Sequence, residues 1–224
     1  MNNLREKYGI PQNAVITIAG TVGVGKSTMT TALAEALDFR TSFENVDQNP
    51  YLDKFYEDFK KWSFHLQIYF LAERFKEQKR IFEYGGGFIQ DRSIYEDTGI
   101  FARMHMEEGT MDPVDYETYT NLFDAMVMTP YFPHPNLLIY LEGPLDSIID
   151  RIHERGREME QETPITYWEE MHARYEKWID SFTACPVLRL DINDYDLITN
   201  AHEVELIVEK IGGILSQTES LRSS

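Results

Sequence analysis

The chain has 224 residues, 42% hydrophobic and 26% charged, which is ordinary for a globular protein and enough for one α/β domain with a sizeable core. Its formal net charge of −17 argues against binding of a nucleic acid polymer, since no basic stripe is available to neutralise phosphates. No apolar run approaches the roughly 20 residues of a membrane span, and no signal-peptide core precedes the first strand. Cys185 is the only cysteine, so no intrachain disulfide can form. We therefore expect a cytoplasmic protein without a membrane partner.

A glycine-rich loop follows the first predicted strand, residues 14–19, and leads into a predicted helix over residues 28–37. It fits the pattern G-x-x-x-x-G-K-[ST] at every fixed position, and both flanks are those that the pattern requires. The loop with the first helical residue consists of Gly20, Thr21, Val22, Gly23, Val24, Gly25, Lys26, Ser27 and Thr28. Glycines allow the backbone to turn several N–H groups onto a phosphate at the positive end of a helix. Lys26 would reach the β- and γ-phosphates and Ser27 would ligate Mg²⁺, so the loop predicts binding of a nucleoside triphosphate.

The remaining elements alternate between strands and helices. In chain order the sequence predicts a strand at 39–43, helices at 51–61 and 62–84, a strand at 88–90, helices at 94–107 and 113–128, a strand at 136–141, a helix beginning near 144, a polar loop at 158–163, a helix at 166–182, a strand at 187–190, and a closing helix at 200–215 with a frayed tail. This order predicts a five-stranded parallel sheet covered by helices on both faces. Ligands of such sheets bind beyond the carboxyl ends of the strands, where Gly20, Glu44, Asp91 and Arg92 are expected to converge.

Three arginines lie on, or just after, the helix that begins near residue 144. Arg151 and Arg155 are four residues apart and share a helix face, and Arg157 follows in the string R-G-R. Phosphoryl transfer needs cations on the moving group, so these arginines could form a closing lid over residues 151–163. The alternative is a solvated face of ion pairs with the acidic residues nearby.

Two carboxylates, Glu44 and Asp91, are candidates for the base that takes the proton of a hydroxyl acceptor. The carboxylate that is not the base could hold Mg²⁺ through water. Asp91 could instead cap the next helix. Spacing does not assign these roles.

The long predicted helix at 62–84 carries two polar side chains on an apolar face, Gln67 and, seven residues on, Arg74. A buried amide must find a partner, so the pair could form a ligand wall or bond internally to another helix. The following helix carries Asp97 and Phe101 four residues apart.

Taken together, these motifs resemble those of the deoxynucleoside kinases. The resemblance rests on the phosphate loop, Glu44 after the second strand, Tyr56 in F-Y-E-D-F-K-K-W, Gln67 in F-H-L-Q, the triplet D-R-S at 91–93 and R-G-R-E-M-E at 155–160. It covers nearly the whole chain and is most similar to the bacterial deoxyadenosine/deoxycytidine kinase branch. It implies a single kinase domain over residues 1–224, a three-layer α/β/α fold of the P-loop NTPase type, ATP with Mg²⁺, and a homodimer formed through helices.

The resemblance also implies a role for each matched position. Gln67 would pair with the base edge, Arg74 and Asp97 would favour purines or cytosine over thymine, and Phe101 would stack on the base. Tyr56 and Glu160 would hold the 3′-hydroxyl, and Arg92 would lie by the 5′-oxygen. Glu44 is favoured as the general base that takes the proton of the 5′-hydroxyl, with Asp91 as its metal-linked partner. Both residues are predicted to be catalytic. Asn45, Asp91 and Met159 depart from residues that many relatives carry at these positions.

Three other functions stay open. Deoxyguanosine kinase is one alternative for the substrate, and a nucleoside monophosphate kinase of the thymidylate kinase type shares the loop and an Asp-Arg pair. A nucleotide-driven switch is the third, but a GTPase carries an N-K-x-D motif and the nearest string here, N-D-Y-D at 193–196, lacks the lysine.

Overall fold

The computed structural model describes residues 4–43, 49–161, 163–195 and 200–222. The strands are β1 Val15–Ala19, β2 Arg40–Ser42, β3 Phe88–Asp91, β4 Leu137–Glu142 and β5 Val187–Asp191. The helices are α1 Leu4–Lys7, α2 Lys26–Leu37, α3 Leu52–Glu57, α4 Phe59–Tyr84, α5 Ile94–Glu96, a π-helical turn Asp97–Ala102, α6 Arg103–Glu107, α7 Pro113–Val127, α8 Leu145–Arg155, α9 Glu158–Gln161, α10 Ile165–Ser181 and α11 Ala201–Arg222.

The strands form one parallel sheet in the order β2-β3-β1-β4-β5, which confirms the predicted α/β class and the five-stranded sheet. Every residue of β1 and β3 is buried, so both faces of the central strands are covered. Burial on both faces explains why β1 and its neighbour β4 are apolar runs rather than alternating patterns. It also explains why their positions could be predicted to within one or two residues.

The chain divides into two compact units. The first unit comprises Met1–Ser42, Gly86–Arg92 and His134–Ser224, and contains the whole sheet. Its apolar core joins strand residues such as Ile16 and Ile139 to Leu33 of α2, Ile152 of α8 and Ile207 of α11. Burial of such side chains supplies the main favourable free energy of this unit.

A cluster of charges fastens the edge strand β5 of the first unit. The Arg189 guanidinium donates to Glu142 on β4 at 2.7 Å and to Glu176 and Asp180 on α10 at 2.8 and 3.1 Å. Tyr140 on β4 also donates its hydroxyl to Glu176, at 2.8 Å. These contacts tie β5, β4 and α10 together at the edge of the sheet.

The second unit, Phe43–Gly85 and Ser93–Pro133, is helical. Its core is formed by Leu71 of α4, Ile94 of α5, Ala102 of the π turn and Tyr119 of α7, together with Met111 and Phe132. The Asp58 side chain caps α4 by accepting from the Lys61 N–H at 3.1 Å. This cap explains why the predicted helix at 51–61 divides into α3 and the start of α4.

Three further boundaries differ from the expectations. The helix predicted at 94–107 contains the π turn Asp97–Ala102, the loop predicted at 158–163 holds the short helix α9, and the closing helix continues through the serine-rich tail to Arg222. None of these changes the sheet.

The lone cysteine, Cys185, is half-buried, and burial raises the pKa of its thiol to about 12. The side chain is therefore protonated and unreactive at neutral pH. No helix in the described part of the chain is both long enough and apolar enough to span a bilayer.

Gly85 and Gly86 offer a matched pair for testing the junction before β3. Both have positive φ, 79° and 87°, but a Cβ at Gly86 would overlap the Asn13 carbonyl oxygen, whereas one at Gly85 meets nothing within 4 Å. We expect Gly85→Ala to lower the free energy of unfolding by about 1–2 kcal/mol, the cost of a left-handed conformation. Gly86→Ala should cost a further ~1–3 kcal/mol because of the steric overlap. Urea denaturation of the two variants measures the difference, and equal losses would contradict the close approach of Asn13 to Gly86.

Candidate active site

The glycine-rich loop joins β1 to α2, as the pattern predicts. A Cβ at Gly20 would lie 2.7 Å from the Leu141 carbonyl oxygen, and one at Gly23 would lie 2.5 Å from the Ile152 side chain. Both glycines also have positive φ, 142° and 82°. The loop therefore keeps its shape only with glycine at these two positions.

Lys26 and Ser27 begin α2 and point their polar atoms at defined partners within the first unit. The Lys26 ammonium donates to the carbonyl oxygens of Gly20 and Thr21, both at 2.8 Å, so the charge lies within the loop. The Ser27 hydroxyl donates to Oδ2 of Asp91 at 2.6 Å. Asp91 is the last residue of β3, so two oxygen ligands stand side by side at the carboxyl end of the sheet.

This pair of oxygens fits a magnesium ion. Mg²⁺ is held by one or two protein oxygens together with water and phosphate oxygens, rather than by a complete protein cage. Within the ranges that the structure describes, no group of three or more His, Cys, Asp or Glu side chains that could hold a metal occurs.

Arg92, next to Asp91, has a left-handed backbone with φ of 68°, which is uncommon for a residue with a side chain. Its N–H donates to the Ile18 carbonyl oxygen at 2.9 Å and so continues the β1–β3 pairing past the end of β3. Strained conformations of this kind cost about 1–3 kcal/mol and cluster at functional sites. The sequence gives no signal for this feature.

The lid arginines have different surroundings. Arg151 donates from Nη2 to the Ile192 carbonyl oxygen at 3.2 Å, and its Nη1 lies 3.6 Å from where a Cβ of Gly25 would be. It therefore lies against the phosphate loop. Arg155 binds Glu160 on α9 through two contacts of 2.6 Å, and Arg157 lies 3.5 Å from the same carboxylate.

Arg155 and Arg157 share Glu160 as an ion-pair partner. This carboxylate lies beyond Gly156, which ends α8 with φ of 71°. The turn at Gly156 and the start of α9 bring the two arginines and Glu160 together.

The second unit carries a buried polar group on α4. Arg74 and Asp97 are 5% and 3% exposed, and the Arg74 Nε donates to Asp97 Oδ2 at 2.9 Å. Gln67, two turns earlier on α4, is 3% exposed, and its Oε1 has no hydrogen-bond partner among the described residues. A buried acceptor without a partner costs free energy.

Asp97 and Phe101 both lie on the π turn, which follows a short helix fixed by a capping box. The Glu96 carboxylate accepts from the Ser93 N–H at 2.8 Å, and the Ser93 hydroxyl accepts from the Glu96 N–H at 3.3 Å. The string S-x-x-E would have predicted this cap, which the sequence analysis missed. The cap assigns Ser93, rather than Asp91, as the residue that begins the helix.

Tyr56 lies on α3 and is 53% exposed. The adjacent Phe55 anchors this helix, with its ring 4.6 Å from Phe59 and 5.2 Å from His105, measured between centroids. At the other end of α3, Tyr51 packs on Trp62 at 5.9 Å. The aromatic contacts of α3 thus leave the Tyr56 side chain on the surface of its unit.

The sequence of this chain matches the family model for deoxynucleoside kinases from residue 16 to residue 216. The chain belongs to the deoxynucleoside kinase family. This confirms the resemblance that the motifs indicated.

Similar proteins support the same conclusion. The chain is 65% identical to the deoxyadenosine/deoxycytidine kinase of Bacillus subtilis (strain 168), over 96% of this chain and 99% of that protein. A structure of deoxyadenosine kinase from M. mycoides with the products dCMP and a flexible dCDP superposes with a TM-score of 0.73 at 31% identity, covering 89% of this chain and all of the other. A structure of the M. mycoides enzyme with dATP gives 0.72 and 32%, covering 88% and 98%.

In this kinase the structure brings the predicted site residues together in two groups, one in each unit. The first unit holds the phosphate loop, Asp91, Arg92 and the arginines with Glu160, and the second holds Gln67, Arg74, Asp97, Phe101 and Tyr56. Glu44 and Asn45 lie outside the described residues.

The burial of the Arg74–Asp97 pair can be tested by measuring the free energy of unfolding of variants. Asp97→Asn keeps the shape of the side chain but leaves the buried guanidinium uncompensated, so we expect a loss of about 3–5 kcal/mol in the free energy of unfolding. Glu107→Gln, which breaks the exposed Arg103–Glu107 pair on α6, is the matched control and should cost less than about 1 kcal/mol. Urea denaturation followed by circular dichroism measures both, and similar losses would contradict the difference in burial.

Proposed function

We propose that this kinase transfers the γ-phosphoryl group of ATP, or of another nucleoside triphosphate, to the 5′-hydroxyl of deoxyadenosine or deoxycytidine. The substrate assignment rests on a buried polar wall in the second unit, formed by Gln67, Arg74 and Asp97. Gln67 Oε1 has no hydrogen-bond partner among the described residues, and Arg74 donates to Asp97. The similarity to a Bacillus subtilis kinase named for both nucleosides supports this assignment.

The donor side of the proposal uses the first unit. The loop from Gly20 to Thr28 would cradle the triphosphate, with the Lys26 ammonium on the β- and γ-phosphates. Arg151 already lies against the loop, and Arg155 and Arg157 would add charge on the moving phosphoryl group. The geometry of Ser27 and Asp91 supports Mg²⁺ as the ion that, when bound, neutralises charge on the phosphates.

The acceptor side uses mainly the second unit. Adenine and cytosine both present an amino donor beside a ring nitrogen acceptor, and an amide side chain such as Gln67 can pair with both atoms. Arg74, held by Asp97, would complete the recognition, and Phe101 would stack on the base. Tyr56 and Glu160 would bind the 3′-hydroxyl. Guanine presents a carbonyl and a ring N–H instead. Because an amide side chain has both a donor and an acceptor, it can also pair with this arrangement, and deoxyguanosine is therefore the alternative substrate.

For the chemical step we favour Glu44 as the base that takes the 5′-hydroxyl proton, with Asp91 holding the metal. The 2.6 Å contact between Asp91 and Ser27 supports this division, because a carboxylate engaged beside a magnesium ligand is less available as a base. Arg92 would stabilise negative charge by the 5′-oxygen.

We also infer that the chain works as one kinase domain in the cytoplasm and as a homodimer. Exposed apolar side chains along the second unit support an interface made by helices. They are Phe82 and Tyr84 of α4, Leu122 of α7, and Met128 and Tyr131 just after α7.

The first experiment is phosphate transfer from labelled ATP with Mg²⁺ to deoxyadenosine, deoxycytidine, deoxyguanosine, thymidine and thymidine monophosphate. Transfer to deoxyadenosine or deoxycytidine with little to thymidine is the expected result. Transfer to deoxyguanosine alone would overturn the base assignment, and transfer only to the monophosphate would make the enzyme a nucleotide kinase.

Gln67 is the residue whose role in base recognition is most directly testable. Gln67→Ala should raise the KM for the deoxynucleoside about tenfold or more, because two hydrogen bonds to the base edge are lost, while the KM for ATP stays within about twofold. Glu73→Ala, on an exposed face of α4, is the control and should change neither constant. Equal effects of Gln67→Ala on both substrates would rule out base recognition by this side chain.

Measurements of kcat decide whether Glu44 or Asp91 is the general base. Glu44→Gln should lower kcat by about 10²–10⁴-fold, the usual contribution of a general base, with nucleoside binding largely unchanged. Asp91→Asn should instead raise the Mg²⁺ concentration needed for half-maximal rate. If kcat survives in Glu44→Gln and collapses in Asp91→Asn at saturating Mg²⁺, the two roles are exchanged.

A further inference from the structure

The π turn of the second unit is made of residues that do not favour a helix. Its sequence, D-T-G-I-F-A, contains a β-branched residue and a glycine side by side, and both lower helix propensity. π-helical turns are rare and are often found at functional sites. A turn with so little local preference must be held by the packing around it.

Tyr119 on α7 is the side chain that reaches this turn. Of the residues of α7, all of which the structure describes, Tyr119 alone is buried, with 0% exposure. It belongs to one apolar core with Leu71 of α4, Ile94 of α5 and Ala102, the last residue of the π turn. Its hydroxyl lies 3.3 Å from Oγ1 of Thr98, the second residue of that turn.

The environment of the same hydroxyl keeps the phenol in its neutral form. Burial raises the pKa of Tyr119 above its ordinary value, the Asp97 carboxylate raises it further, and the Thr98 hydroxyl and the Arg74 guanidinium oppose the shift. The phenol therefore stays neutral at physiological pH and remains able to donate a hydrogen bond. Tyr119 is thus bonded, through Thr98, to the turn that carries Asp97 and Phe101.

We propose that Tyr119 is a positioning residue for base recognition, whose hydroxyl, bonded to Thr98, holds the π turn and thereby fixes Asp97 against Arg74 and Phe101 against the base. This inference rests on the proposed role of Gln67, Arg74 and Asp97 in recognising the base of the nucleoside. Tyr119 touches no substrate in this scheme. It acts by keeping a locally unfavourable turn in the one conformation that the base can use.

The test compares steady-state constants of Tyr119→Phe, Thr98→Val and the double variant, all of which remove only the contact between the two hydroxyl groups. Each single variant should raise the KM for deoxyadenosine or deoxycytidine about three- to tenfold, the loss expected for one neutral hydrogen bond, with the KM for ATP within about twofold. The double variant should be no worse than either single one, because both remove the same bond. Thr98→Ser, which keeps a hydroxyl, should restore the KM for the nucleoside.

Tyr116→Phe is the matched control, since Tyr116 is a half-buried tyrosine one turn earlier on the same helix that packs against the same core. It should leave both KM values within about twofold. If Tyr116→Phe changes the KM values as much as Tyr119→Phe does, or if Tyr119→Phe raises the KM for nucleoside and for ATP equally, Tyr119 serves stability alone and the proposal is overturned. Additive effects in the double variant would also overturn it.

Gln67→Ala, measured in the same assay, separates this inference from the function on which it rests. If Gln67→Ala raises the nucleoside KM and Tyr119→Phe does not, the proposal for Tyr119 fails while base recognition by the wall stands. If neither variant changes the nucleoside KM, both fail together.

Discussion

The register between β1 and β3 is the constraint on which the phosphate-binding half of this kinase depends. Ile18 pairs with Asp91, and the Arg92 N–H extends the ladder by one more bond to the Ile18 carbonyl oxygen. Because side chains alternate along a strand, a slip of one residue would turn the Asp91 carboxylate to the opposite face of the sheet, away from Ser27. Such a slip is resisted because β1 is paired on both sides and buried along its whole length.

The second unit is organised around a different interaction, the buried pair of Arg74 and Asp97. Burial of two charges costs solvation free energy that their attraction only partly offsets, so a pair of this kind seldom adds net stability. Its value lies in fixed geometry, since the planar guanidinium is held by a carboxylate and keeps its remaining donors in one orientation. The π turn that carries Asp97 and Phe101 is also unfavourable by itself, and its last residue, Ala102, lies in the apolar core that contains Tyr119.

Prediction from the sequence succeeded where one local pattern fixes the structure. The strands were identified because central parallel strands are continuous apolar runs, and the phosphate loop because its glycines permit backbone angles and close contacts that a Cβ would forbid. It located the helix at 94–107 but not the π turn inside it, because a shift of the helical hydrogen bonds over six residues leaves no distinct period. It also missed α9, where a polar stretch becomes helical beside the Arg155–Glu160 pair, and the cap at Ser93, whose S-x-x-E signal was present in the chain.

The sequence by itself determined the α/β class, the phosphate loop, the family and the identity of the candidate residues, because each of these follows from residue types at fixed short spacings. Only the tertiary structure decided which of these residues meet. The contact of Ser27 with Asp91 joins positions 64 apart, and that of Arg74 with Asp97 joins positions 23 apart. Likewise, Tyr119 meets Thr98 from another helix, 21 residues away. Contacts between distant segments depend on register, packing and burial, which no local pattern encodes.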